Sequence, residues 1–182
     1  MIEIRWHARG GQGGFTGAKL LGLAASVFCN HYVQAFPSFG PERRGAPVLG
    51  FTRVDNKPIT DHSQVYTCDY VVVLDETLIE TVDVTKGLKE GGIILINTKL
   101  VPERFPFKGN FRVLTVDAST IAMEEMGTTI ANTAMLGAFG AVNDLIGLDS
   151  ILKAVDKGMP ENLREKNKKA IERTYQLVRG GK

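Results

Sequence analysis

Apolar and polar residues alternate through Ile2-Glu3-Ile4-Arg5-Trp6-His7-Ala8, the period-two signature of a strand. Gly10-Gly11-Gln12-Gly13-Gly14 interrupts that pattern. Phe15 to Cys29 then takes helical spacing, with Leu20, Leu21, Leu23, Ala24, Val27 and Phe28 on a broad apolar face and Asn30 as a stop. Short strands are predicted at Tyr32–Phe36 and Val48–Val54, the second closed by Asp55-Asn56-Lys57-Pro58. Tyr70–Leu74 and Ile93–Ile96 are continuous apolar runs, which suit parallel strands covered on both faces. Between them Asp75 is placed to cap a helix over Glu76–Leu88, broken by Gly91-Gly92. A further strand is expected at Phe111–Val116. The chain then turns helical, from Ser119 or Thr120 to Met126, over Asn132–Leu145, over Ile151–Val155 and over Glu161–Arg179. No repeat, linker or low-complexity tract divides it. The pattern predicts one domain over residues 1–182, an α/β fold read as a three-layer α/β/α sandwich around a mostly parallel, Rossmann-like sheet.

Composition narrows the chemistry. The 182 residues are 43% hydrophobic and 23% charged, with a formal net charge of +2, ordinary for a globular protein and too near neutral for bulk electrostatic binding of nucleic acid. The first ten residues carry Glu3, Arg5, His7 and Arg9 instead of the apolar core of a signal peptide, and no run approaches the ~18 apolar residues of a membrane span. A cytoplasmic protein with neither membrane nor nucleic acid as partner is expected. The two cysteines, Cys29 and Cys68, stand far apart with no Cys-x-x-Cys pair. An iron–sulfur cluster commonly takes four thiolates and a structural zinc four Cys or His ligands, so the chain builds neither alone. Two unlinked thiols and a Cys29–Cys68 disulfide both fit the spacing.

Two loops carry candidate chemistry. Gly10, Gly11, Gln12, Gly13 and Gly14 follow the first strand and open a helix, where glycines let the backbone approach an anion and helix N–H groups point at it. The fingerprint of a dinucleotide site is incomplete, because its third glycine position falls on Thr16, and no Walker A spacing precedes Lys19. The loop therefore reads either as an anion site or as a tight turn for packing. The second loop, Phe36 to Pro47, is rich in proline, glycine and aromatic residues. Its adjacent Arg43 and Arg44 can offer a bidentate fork to phosphate or carboxylate, or Arg43 can pair with Glu42 and serve the loop alone. Both loops should lie at carboxyl ends of neighbouring strands. His7, His31 and His62 share no ligand spacing and read as surface or hydrogen-bonded residues. Ser26, Ser38 and Ser63 lack a nucleophile-elbow context. Asp69, Asp75 and Asp117 read as caps, Asn97-Thr98 as a turn or a ligand-facing pair, and Met123, Met126, Met135 and Leu136 as core or interface. The basic excess of the last helix reads as a solvated face or as a dock for an acidic neighbour.

Ile4-Arg5-Trp6-His7 followed by Gly10-Gly11-Gln12-Gly13-Gly14 resembles the opening of the gamma subunits of 2-oxoacid:ferredoxin oxidoreductases. Val33 to Pro47 is similar to the pyruvate (pyruvate synthase) and branched-chain 2-oxoacid branches of that family. Val71 to Leu78 and Asn132 to Ala138 extend the likeness over nearly the whole chain. The resemblance implies an oxidoreductase of alpha, beta, gamma and delta subunits that decarboxylates a 2-oxoacid on thiamine diphosphate. Its electrons pass singly through Fe4S4 clusters to ferredoxin, and coenzyme A takes the acyl group. Thiamine and clusters would sit on the other subunits, in keeping with the missing Gly-Asp-Gly motif and cysteine set. No catalytic residue and no metal ligand is expected on this chain. In fused relatives the counterpart of this chain lies near coenzyme A, so the resemblance points Gly10–Gly14, Arg43 and Arg44 toward that cofactor. Two other classes compete: a free-standing nucleotide- or coenzyme A-binding regulatory module, and a purely structural subunit.

Overall fold

The computed structural model describes residues 1–38 and 43–180. Six strands form one sheet: β1 (Ile2–Arg9), β2 (Tyr32–Pro37), β3 (Pro47–Asp55), β4 (Cys68–Val73), β5 (Leu88–Asn97) and β6 (Arg112–Val116), in the order β2-β3-β1-β4-β5-β6. β1, β4, β5 and β6 run parallel, and the antiparallel pairings β1–β3 and β3–β2 complete one edge. Five α-helices follow the expected segments: α1 (Gly14–Leu23), α2 (Ala118–Met126), α3 (Ala134–Val142), α4 (Leu148–Gly158) and α5 (Glu161–Gly180). α1 runs on into one π-helical turn at Ala24–Phe28, and Asn30 takes the left-handed conformation (φ 57°) that ends it.

The helices share one face of the sheet. Ile4, Trp6, Ala8, Val72 and Leu95 point into a core completed by all five helices. Trp6 is fully buried, and its Nε1–H donates to Thr52 Oγ1 (3.3 Å), whose hydroxyl donates to the Ala18 carbonyl (3.0 Å). One polar chain thus joins β1, β3 and α1 inside the apolar core. α3 is almost wholly buried and carries small residues at Ala134, Gly137, Ala138 and Ala141, so α5 can cross it closely: Thr174 donates to the Ala134 carbonyl at 2.5 Å, and a Cβ on Gly137 would strike the Ile171 carbonyl.

The other face carries Phe51, Val71, Val73, Ile94 and Ile96 under irregular segments. There the helix expected over Glu76–Leu88 is replaced by a 3-10 turn at Glu76–Glu80, followed by turns, and β5 begins at Leu88. Three causes are visible. β-branched Thr81, Val82, Val84 and Thr85 fill the stretch and resist helix. Asp83 Oδ1 accepts from the Thr85 N–H (2.9 Å), a local turn that competes with helical bonding. Arg5 takes the carbonyls of Val84 (3.0 Å) and Lys86 (2.6 Å). The layer on this face is therefore made of turns and extended chain. Gly91 and Gly92 lie inside β5 instead of before it.

β1 departs from its sequence pattern in one respect. The alternating polar residues Glu3, Arg5 and His7 are buried, not solvated. Arg53, also buried, meets Glu3 (Nε to Oε1, 2.9 Å) and donates to the Asp61 carbonyl (3.0 Å). A stripe of ionic groups therefore underlies the second face and fastens its loops.

Candidate functional site

The first candidate loop is shaped by close approaches. Gly13 takes φ 71° at the N-terminus of α1, and a Cβ there would collide with the Asn132 amide, which donates to the Gly13 carbonyl (3.1 Å). At Gly10 a Cβ would collide with the Arg43 carbonyl. That second approach is the main finding at the site: the two candidate loops are joined. Gly10 N–H donates to the Ala46 carbonyl (2.8 Å), and Gly45 N–H donates to the Gly10 carbonyl (3.0 Å). Arg43 and Arg44 follow the segment 39–42, which lies outside the described residues together with Glu42 and its expected pairing. Both arginines are exposed, and neither forms an ion pair among the described residues.

Arg9, Gln12 and Asp75 brace the junction. Arg9 Nε meets Asp75 Oδ2 at 3.2 Å, Nη1 donates to the Gly45 carbonyl (3.1 Å) and Nη2 to Thr77 Oγ1 (2.7 Å). Gln12 donates to Asp75 Oδ2 (2.9 Å) and accepts from the Arg9 N–H (2.8 Å). Burial opposes ionisation of Asp75, but bonds from Thr77 and Gln12 and the charge of Arg9 outweigh it and hold the carboxyl below its ordinary value. Gln12, an expected ligand residue, thus has its side chain turned into the protein. The chemistry on offer is anion recognition. The first turn of α1 leaves N–H groups without helical partners beside the loop, and the exposed Arg43 and Arg44 stand across the Gly10 junction.

The remaining candidates take structural places. Asp75 accepts from Thr77 N–H and Asp117 from Thr120 N–H as caps, while Asp69 accepts from Glu3 N–H. Asn97 bonds the Leu74 carbonyl and Ser119. Met135 and Leu136 are core, whereas Met123 is exposed. Both cysteines are free, and burial pushes the Cys68 thiol up to about 11. Among the described residues no group of three His, Cys, Asp or Glu side chains could hold a metal ion, and no helix is long and apolar enough to cross a membrane. Arg5, Arg9, Arg53 and Asn132 are not among the site residues that the sequence singles out. For Arg5 the signal was present, since its alternation with Trp6 fixes its face, but burial of that face depends on loops far along the chain.

Residues 3–177 match the family model described as pyruvate ferredoxin/flavodoxin oxidoreductase. The chain belongs to this family. It is 48% identical over 179 residues to pyruvate synthase subunit PorC of Methanothermobacter marburgensis, covering 98% of each chain. It is 49% identical over 180 residues to the pyruvate/ketoisovalerate oxidoreductases common subunit gamma of Pyrococcus abyssi, covering 97% of this chain and 96% of the relative. The crystal structure of pyruvate oxidoreductase subunit PORC from Thermotoga maritima superposes with a TM-score of 0.82 at 39% identity, covering 96% and 95% of the two chains. The gamma-subunit resemblance read from the glycine loop and the Val33–Pro47 stretch is thereby borne out, as is the α/β class of the fold.

Proposed function

We propose that the chain is the gamma subunit of a cytoplasmic pyruvate:ferredoxin oxidoreductase, active only in assembly with alpha, beta and delta subunits. The observation that carries this reading is the end-to-end match to a pyruvate synthase subunit at 48% identity. In the assembled enzyme pyruvate loses carbon dioxide, coenzyme A accepts the acetyl group, and the electrons released pass singly to ferredoxin. An Fe4S4 cluster does not fit this chain's two thiols, which are separate, one of them buried with its proton firmly held, and the family resemblance puts thiamine diphosphate together with the clusters. Those groups belong to the partner subunits.

This chain's own part is anion binding. Gly11, Gly13 and Gly14 bring backbone N–H groups and the α1 N-terminus to one side of the junction, which Gly10 closes through its bond to the Ala46 carbonyl, and Arg43 and Arg44 bring guanidinium groups to the other. Together they fit the phosphates of coenzyme A. Gln12 serves from behind, holding Arg9 and Asp75 in place. The chemistry supplied is positioning and charge neutralisation of the acceptor.

Arg43→Ala and Arg44→Ala in the reconstituted complex test the assignment. Each charge-assisted bond lost is worth about 1.5–3 kcal/mol, so the KM for coenzyme A should rise about 10- to 100-fold while the KM for pyruvate and subunit assembly hold. An unchanged KM for coenzyme A in an intact complex sinks it. The Pyrococcus abyssi relative carries a name that joins pyruvate and ketoisovalerate enzymes, which favours a second reading in which this chain is shared between two oxidoreductases. A panel of 2-oxoacids, run on complexes rebuilt with each set of partners, separates the two.

A further inference from the structure

Three segments distant in the chain meet at one side chain. Arg9 ends β1, and its guanidinium reaches along the carboxyl edge of the sheet in two directions. Nη1 donates to the Gly45 carbonyl (3.1 Å), just ahead of β3. Nε and Nη2 donate to Asp75 Oδ2 (3.2 Å) and Thr77 Oγ1 (2.7 Å), just after β4. The β4 side is held by further bonds. Asp75 Oδ2 also accepts from the Gln12 amide (2.9 Å), and its Oδ1 accepts from the N–H and the hydroxyl of Thr77 (3.0 and 2.6 Å).

The β3 side is the turn that carries both candidate arginines. Ala46 N–H donates to the Arg43 carbonyl (3.0 Å), which closes a four-residue turn with Arg44 and Gly45 at its centre. Gly45 takes φ 81°, the left-handed conformation that glycine adopts without strain at the third position of such a turn. The Gly45–Ala46 peptide is thus gripped at both ends, its N–H by the Arg43 carbonyl and its own carbonyl by Arg9. From this turn Arg44 leans over the glycine loop, its Cγ 3.9 Å from where a Cβ on Gly11 would stand.

Charge divides the roles. Asp75 neutralises Arg9, whereas Arg43 and Arg44 form no ion pair among the described residues. Arg9 therefore has its charge and three of its N–H groups committed to the protein, and the charge left for an anion belongs to the two arginines of the turn. A planar guanidinium can hold two segments at a set separation through its fork; an ammonium group, a point charge on a flexible stem, cannot.

We propose that Arg9 is a positioning residue for coenzyme A: it does not touch the cofactor, and it fixes the turn from which Arg43 and Arg44 reach the phosphates. The proposal rests on the coenzyme A reading of those two arginines.

Gamma chains carrying Arg9→Met, Arg9→Lys or Thr77→Val are each reconstituted with the partner subunits, and kcat and KM are measured with coenzyme A and pyruvate varied in turn. Arg9→Met should raise the KM for coenzyme A about three- to tenfold, with kcat and the KM for pyruvate within about twofold of wild type. Arg9→Lys should behave like Arg9→Met, because it keeps the charge and loses the fork. Thr77→Val, at an exposed position, removes one acceptor of the fork and should raise the KM for coenzyme A about two- to threefold. It carries the test should Arg9→Met fail to assemble. In a chain that also carries Arg43→Ala and Arg44→Ala, each of these changes should add less than about twofold, since the groups that Arg9 positions are gone. An equal factor in both backgrounds overturns the proposal. So does recovery of the wild-type KM in Arg9→Lys, which would make Arg9 a charge acting on the cofactor directly. A KM for coenzyme A that moves with Arg43→Ala and Arg44→Ala but not with Arg9→Met or Thr77→Val overturns the proposal and leaves the coenzyme A reading standing. A KM unmoved by Arg43→Ala and Arg44→Ala overturns both.

Discussion

At the scale of single residues, His7 shows how burial sets chemistry. Burial and the neighbouring Arg5 charge, against a smaller opposing pull from Asp83, lower its pKa from 6.5 to about 3. The folded protein therefore binds fewer protons than the unfolded chain between those two values. The contribution of this ring to stability is fully present above pH 6.5 and is lost as the pH drops toward 3, at a slope of about 1.4 kcal/mol per pH unit. Denaturant titrations at several pH values should show that slope, and His7→Asn, which has no titrating group, should flatten it. Asp75 acts in the same direction at lower pH. Its carboxyl is held below its ordinary value, so the brace between Arg9 and Gln12 is complete above the unfolded carboxylate range and loosens as the pH falls through the folded value.

At the scale of elements, the second face of the sheet depends on arginines more than on helix packing. Arg53 is 1% exposed and ties β3 to Glu3 on β1, to Gln34 on β2 and to the carbonyl of Asp61. Arg53→Met leaves Glu3 buried without its partner and releases the segment after β3. The expected loss is about 3–5 kcal/mol in a denaturant melt, since breaking a buried pair on one side strands the other charge. Faster amide exchange over residues 59–64 should accompany it, while the helical face keeps its protection. The stretch after β4 belongs to the same account. Asp75 caps it as the sequence suggests, but the helix does not propagate beyond one 3-10 turn, because β-branched residues follow and Arg5 draws the later carbonyls inward. Local periodicity could place the cap; it could not see a partner some eighty positions earlier in the chain.

At the scale of the whole molecule, the proposed gamma-subunit role sets the expectation. The two thiols stand apart, and no group of three metal-ligating side chains lies among the described residues. The purified chain should show no pyruvate oxidation with ferredoxin or viologen, and activity should appear only on reconstitution with the other subunits. Turnover by the lone polypeptide would contradict the assignment. Size-exclusion chromatography of the native enzyme should find this chain eluting with coloured, cluster-bearing partners and not alone near 19.9 kDa.

The sequence by itself determined the order and type of nearly every strand and helix, because each rests on periodicities spanning only a few residues. Its count of two cysteines, far apart, also falls short of the four thiolates that an iron–sulfur cluster commonly takes. The tertiary structure decided what no local pattern contains. It joined the glycine loop to Arg43 and Arg44 through the backbone of Gly10 and Ala46, and it turned Gln12 inward onto Arg9 and Asp75. It buried the polar face of β1 beneath turns that the sequence reads as helix, where Arg5 bonds His7 and the carbonyls of Val84 and Lys86. Alternation says which side of the sheet a residue faces. Only the packing of segments distant in the chain decides whether that side meets water, and therefore whether its charges are solvated or paired.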